Sequence, residues 1–211
     1  MAGNNNNVTG IMNIAKGDQN NVTGIFNSAT GNQNSIQGIL NLINGNNNAA
    51  KGIQNTINGS NIRSVGNLNN ITGTQVSVIG NSNSITGGAI AVAGSNNTVT
   101  GFVNAVAGNS NNLYGIINTI SGSNNLVNGT FNQVLGNING INGNNNTVNG
   151  QLNLLKGNNN TANGILNIVN GSNNGLNGNV NLVNGNNNAV TGSANKINGS
   201  GTIIKGNHNI V

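Results

Sequence analysis

"GNNNTVNGQLNLLKGNNNTANGILNIVNG", from Gly143 to Gly171, is written almost wholly in Asn, Gly and aliphatic residues. Its units are NNNTVNG, QLNLLKG, NNNTANG and ILNIVNG: a polar heptad alternates with an apolar one, and Gly stays in step. The frame extends outward in both directions. Every seventh residue from Gly3 to Gly206 is Gly, without an insertion. With Gly as position seven, position three is Asn except at Ile62, Val76, Ile90 and Thr202, and position five is aliphatic except at Ser64.

A heptad of this kind does not make a coiled coil, which needs apolar a and d positions on good helix formers. One Gly and one Asn per heptad oppose helix. The local period is two. Positions three and five fall on one side of an extended segment, and two, four and six on the other. Gly then turns the corner, where a positive φ carries no steric penalty. The pattern predicts an all-β chain, a single β-solenoid (β-roll or β-helix) of about fifteen coils with two heptads per coil. It would run continuously over residues 4–211 after a short lead-in at 1–3, with coils stacked ~4.7 Å apart.

Such a coil has a thin interior. Val148, Leu155, Val169 and Val183 would stack inside it, beside a structural ladder of Asn146, Asn153, Asn160 and Asn167. A buried amide is costly unless paired, and a column of identical amides pairs with its neighbours above and below. Bulky and charged groups must point out. All six basic residues fall at position four or six, Phe26, Phe131 and His208 at two, Phe102 at one and Tyr114 at six. The Asn-Gly pairs at positions six and seven also fit two-residue hairpins, but an antiparallel meander does not require an unbroken seven-residue frame.

Composition narrows the function. Charged residues are 3% and aromatics 2%, with no Pro or Cys, so there is no disulfide framework or thiolate site. The net charge of +5 comes from Lys16, Lys51, Arg63, Lys156, Lys196 and Lys205 against Asp18. These are scattered, whereas nucleic-acid binders cluster Lys and Arg and interleave aromatics; no nucleic-acid partner is expected. No apolar run approaches the ~20 residues of a membrane helix. MAGNNNNVTG has neither the basic region nor the apolar core of a secretory leader; an extracellular or cell-surface location is nevertheless expected. With no Glu, one Asp and one His, paired carboxylates are impossible. Asp18 and His208 lie far apart along the expected stack, and nothing clusters as a metal site. The chain reads as a non-enzyme without cofactor or metal. Sequons such as those at Asn7, Asn21, Asn70, Asn96, Asn145 and Asn159 arise readily in an Asn-rich chain.

Odd heptads would form one face and even heptads the other, which places the apolar units. In the sub-segment 4–73 the even face carries Met12, Ile14, Phe26, Leu40, Leu42 and Leu68. In 74–136 the odd face carries Ile79, Ala89, Ala91, Val103, Ile117, Phe131 and Leu135. In 137–211 the even face again carries Ile138, Leu152, Leu154, Leu166, Ile168, Val180 and Leu182. Exposed stripes of this length invite burial against another copy. Heptads continue to both ends without a capping segment; open strand edges template pairing, and low charge removes repulsion.

The unit x-x-N-x-V-x-G, in NNNNVTG (4–10), SNNTVTG (95–101) and NNNAVTG (186–192), resembles the ice-recrystallisation-inhibition proteins of ryegrass and related grasses. The resemblance implies a β-roll with two heptads per coil, valines and Asn ladders inside, and flat Ser/Thr-rich faces that bind ice. Asn70 and Thr72, Ser84 and Thr86, and Thr98 and Thr100 fit such a face, as do Asn21 and Thr23. The same columns elsewhere hold Lys51, Tyr114, Leu154 or Ile168.

Two functions follow. The first is a structural protein whose partner is itself, forming fibres by head-to-tail stacking of its ends and lateral packing of Phe26, Leu40, Leu42, Val103, Ile117, Phe131, Leu152, Leu154, Leu166, Ile168, Val180 and Leu182. The alternative is an ice-binding protein using the six-residue Asn70–Thr100 face. An adhesin or carbohydrate-binding stalk ranks below both, since so few aromatics are present for sugar stacking.

Overall fold

A computed structural model covering residues 1–211 shows an all-β chain without helix, a β-solenoid of about 14 turns with Asn ladders. It divides into two compact units, Met1–Val106 and Ala107–Val211. In the first, odd heptads supply one parallel sheet, from strand Asn7–Ile11 to Ala91–Ala93, and even heptads the other, from Ile14–Lys16 to Thr98–Phe102. In the second, the odd sheet runs from Thr119–Ser121 to Ile203–Lys205 and the even sheet from Asn112–Ile116 to Lys196–Asn198. The register is one full coil, pairing Val22 with Ile36 and Leu154 with Ile168.

The shortest strands are positions four to six, with only position five inward: Val78, Leu155 and Val183 are fully buried. Each such side chain contributes roughly 1.5–3 kcal/mol by burial. The rest of the interior is amide. The Asn41 backbone N–H and Nδ2 both donate to Asn27 Oδ1 at 3.0 Å, and its Nδ2 also donates to the Gly52 carbonyl at 2.8 Å. Asn55 donates to Asn41 Oδ1 in the same two ways. In the second unit Asn167 donates to Asn153 Oδ1 through its backbone N–H and Nδ2, and the Asn160 N–H donates to Asn146 Oδ1. Every polar atom of such a side chain is satisfied, which makes its burial tolerable.

The departures from the repeat are also accommodated inside. Ile62, Val76 and Ile90 replace Asn in one column and stay buried. Ser64, the lone polar residue at position five, donates its hydroxyl to Asn55 Oδ1 at 3.4 Å and accepts from Asn69 Nδ2 at 3.3 Å. In the heptad SNIRSVG the polar and apolar inward groups have exchanged places, and the hydroxyl joins the amide ladder of the opposite sheet.

The corner differs from the sequence expectation in one respect. Position two does not lie in an extended segment. It is left-handed in every full heptad, with φ of +57° at Phe26, +58° at Leu40 and +56° at Val103. The turn therefore has two positive-φ residues, at positions seven and two, because one residue does not reverse the chain within so short a coil. The first of these must be Gly. At Gly38 (φ +146°) a Cβ would run into the Gly52 carbonyl oxygen, and at Gly31 (φ +112°) into that of Gly45.

Between these two residues stands position one, which builds a second ladder on the outside. Where it is Asn or Asp, and at several Ser such as Ser95 and Ser123, its side-chain oxygen accepts the backbone N–H of position one in the preceding coil. Asp18 N–H donates to Asn32 Oδ1 at 2.8 Å, Asn32 N–H to Asn46 Oδ1 at 2.8 Å, and Asn144 N–H to Asn158 Oδ1 at 2.9 Å.

Candidate functional site: outward faces of the two sheets

With positions three and five inside, the faces available to a ligand are positions four and six on each sheet and one and two at each corner. In the first unit, strands Thr56–Ser60, Asn70–Thr74, Ser84–Gly88 and Thr98–Phe102 are neighbours in the even sheet. Their registers align Thr56, Asn70, Ser84 and Thr98 in one row and Asn58, Thr72, Thr86 and Thr100 in a second. All eight are exposed apart from half-buried Thr98. Rows of this kind are spaced ~4.8 Å along the stack and ~6.7 Å across it, the repeat of a pleated sheet. The result is a periodic grid of hydroxyls and amides.

This grid contains Asn70, Thr72, Ser84, Thr86, Thr98 and Thr100, and extends them by Thr56 and Asn58. The extra coil carried its signal in the sequence, since TINGS at 56–60 aligns with NITGT at 70–74 in the heptad frame. Asn21 and Thr23 are on the other sheet, next to Asn7 and Thr9, and do not join the grid.

The apolar residues sort into columns. In the second unit Leu154, Ile168 and Leu182 pair in register at position four of the even sheet. Leu152, Leu166 and Val180 stand at the adjoining left-handed corner. Ile117 and Phe131 occupy the opposite corner of that unit. In the first unit Phe26 and Leu40 are at the corner, Leu42 is on the even sheet, and Val103 is at the other corner. All are exposed except Leu182, which is half-buried. Beside Leu126 and Leu154, Gly140 leaves a notch in the sheet bordered by Tyr114.

One column escaped the outward assignment of positions two, four and six. Ile11, Ile25, Ile39 and Ile53, all at position one, are paired in continuous register. Their signal is a fourteen-residue spacing in an otherwise polar position. No cluster of three His, Cys, Asp or Glu side chains exists to hold a metal, and no helix is long and apolar enough to cross a membrane.

Residues 59–136 match a family model described as the grass antifreeze beta roll. The matched stretch contains three of the four grid strands, and over it the chain is similar to an antifreeze β-roll rather than to an enzyme. No curated protein matches the chain.

Proposed function

We propose that the protein binds ice through the eight-residue grid of Thr56, Asn58, Asn70, Thr72, Ser84, Thr86, Thr98 and Thr100. The observation that carries this reading is four successive strands in unbroken register whose positions four and six present only small hydroxyl and amide groups. A crystal of ordered water is a periodic surface, and a matching protein surface must be flat, periodic and fixed before contact. The inner Asn ladders hold the backbone repeat, and branched Thr side chains have restricted χ1, so little is lost in ordering them. Each group positions water at modest net energy; the grid acts through the sum. The similarity of residues 59–136 to an antifreeze β-roll supports the same reading.

Lys already occupies position six at Lys16, Lys51, Lys156 and Lys205, so Thr72→Lys with Thr86→Lys is compatible with the coil. The double variant is expected to retain the fold by circular dichroism and to lose at least tenfold in the concentration needed to arrest ice recrystallisation. Undiminished arrest by the variant, or none by the parent, would refute ice binding through this grid.

The exposed apolar columns favour a second reading, lateral self-association of the chain into fibres. An uninterrupted column such as Leu152, Leu166 and Val180 presents more contiguous apolar surface than single scattered residues do. Negative-stain microscopy over a concentration series tests it, and a field of dispersed single particles throughout is the contrary result.

A further inference from the structure

We infer that the edge of the first unit formed by Ile11, Ile25, Ile39 and Ile53, with Phe26 and Leu40, is a two-fold interface with a second copy of this chain. The inference rests on the self-association reading and names the surface, partner and symmetry. Three observations carry it.

First, the edge has the size of an interface. Positions one and two of the coils between residues 11 and 68 hold eight large apolar side chains at this corner. Except for half-buried Ile25, they are 37–71% exposed. At about half of the ~200 Å² of a large side chain each, the eight offer roughly 800 Å², the area one partner contributes to a standard interface, and Ile14 and Leu42 on the adjoining sheet add to it. No charged residue occupies these two positions along the edge, where Gln54 and Asn67 are the polar exceptions, so no charge need be desolvated against a like surface.

Second, the local backbone does not call for these side chains. Position two is left-handed, where Asn is favoured and bulky residues are penalised, yet Phe26 and Leu40 stand there in solvent. Position one favours a side-chain acceptor. In the same column the next coils return to that rule: Ile53 N–H donates to Asn67 Oδ1 and Asn67 N–H to Asn81 Oδ1, both at 2.8 Å. Ile at 11, 25 and 39 gives up that hydrogen bond. Residues that oppose local preference and remain exposed point to a role outside the coil, and burial against a second copy supplies one.

Third, the edge fits itself. Its knobs recur once per coil, and a second copy presents an identical spacing. A two-fold axis places each column against the gaps of the other, as an isologous contact requires.

The test uses the full chain. Sedimentation equilibrium should show a species of twice the 21.1 kDa chain mass, and Ile25→Asn with Ile39→Asn should weaken dimerisation at least tenfold. Asn at position one is what the fold accepts elsewhere in this column, so at a concentration where the parent does not associate the melting temperature of the variant should not fall. Leu166→Asn in the second unit should leave the dimer intact. A dimer unaffected by the paired Ile substitutions overturns this interface and leaves self-association standing. A parent chain that remains monomeric throughout overturns both.

Discussion

Over residues 4–53 each coil has two corners with one backbone conformation and opposite chemistry. At one corner position two is Gln19 and Gln33, at the other Phe26 and Leu40, and all four have φ of +57° to +58°. At the first corner the position-one side chains form a hydrogen-bonded ladder through Asp18, Asn32 and Asn46, and Gln33 Nε2 donates to Gln19 Oε1 at 3.1 Å. At the second they form a column of Ile. The backbone accepts either set, so the fold alone does not determine which corner is apolar. What distinguishes them is the surface each presents, and the comparison separates residues kept for the coil from residues kept for something outside it.

The sharpest way to break the comparison is to attack what both corners share. Gly38→Ala at the apolar corner and Gly31→Ala at the amide corner each drive a Cβ into the carbonyl of the next coil. Each is expected to cost about 3 kcal/mol or more in urea unfolding, with little difference between the corners. Next come the two ladders. Asn41→Ala removes a buried amide that serves both coils beside it and should cost about 2–3 kcal/mol, whereas Asn32→Ala on the exposed outer ladder should cost about 0.5–1 kcal/mol. Equal losses would mean that the outer ladder matters as much as the core. The smallest effect compares the corners directly. Leu40→Asn should stabilise the isolated chain by about 0.5–1 kcal/mol through left-handed preference, and Gln33→Leu destabilise it by about 0.5–1 kcal/mol through loss of the hydrogen bond to Gln19. The same sign for both, measured at a concentration where the chain does not associate, would show that corner conformation is not what separates them.

The sequence made much of this legible. The unbroken Gly frame located the corners, and Asn at position three with an aliphatic at five located the interior. Both signals are strong because each position is constrained by a contact with its own equivalent one coil away, so residues such as Gly38 and Asn41 have few substitutes. Position two was not legible. Its left-handed backbone holds Leu and Phe as well as Asn and Gln, despite the penalty on bulky groups, so residue type does not announce φ. The exchange of Ile62 and Ser64 appeared only as two exceptions; their complementarity depends on Asn55 and Asn69, which come close only after the chain has wound. The grid was legible from Asn70 to Thr100, because identical residue classes recur at fourteen-residue spacing, while the Ile edge lay outside an alternation that assigned two, four and six outward.

The period of the sequence is half the period of the winding. Odd and even heptads fill the same interior with the same Asn and aliphatic pair, so either can take either side of the coil. Gaining or losing one heptad therefore leaves the hidden columns continuous while handing every later outward side chain to the opposite sheet. A chain built this way can transfer a whole surface from front to back in a single seven-residue step, without redesigning what lies beneath it.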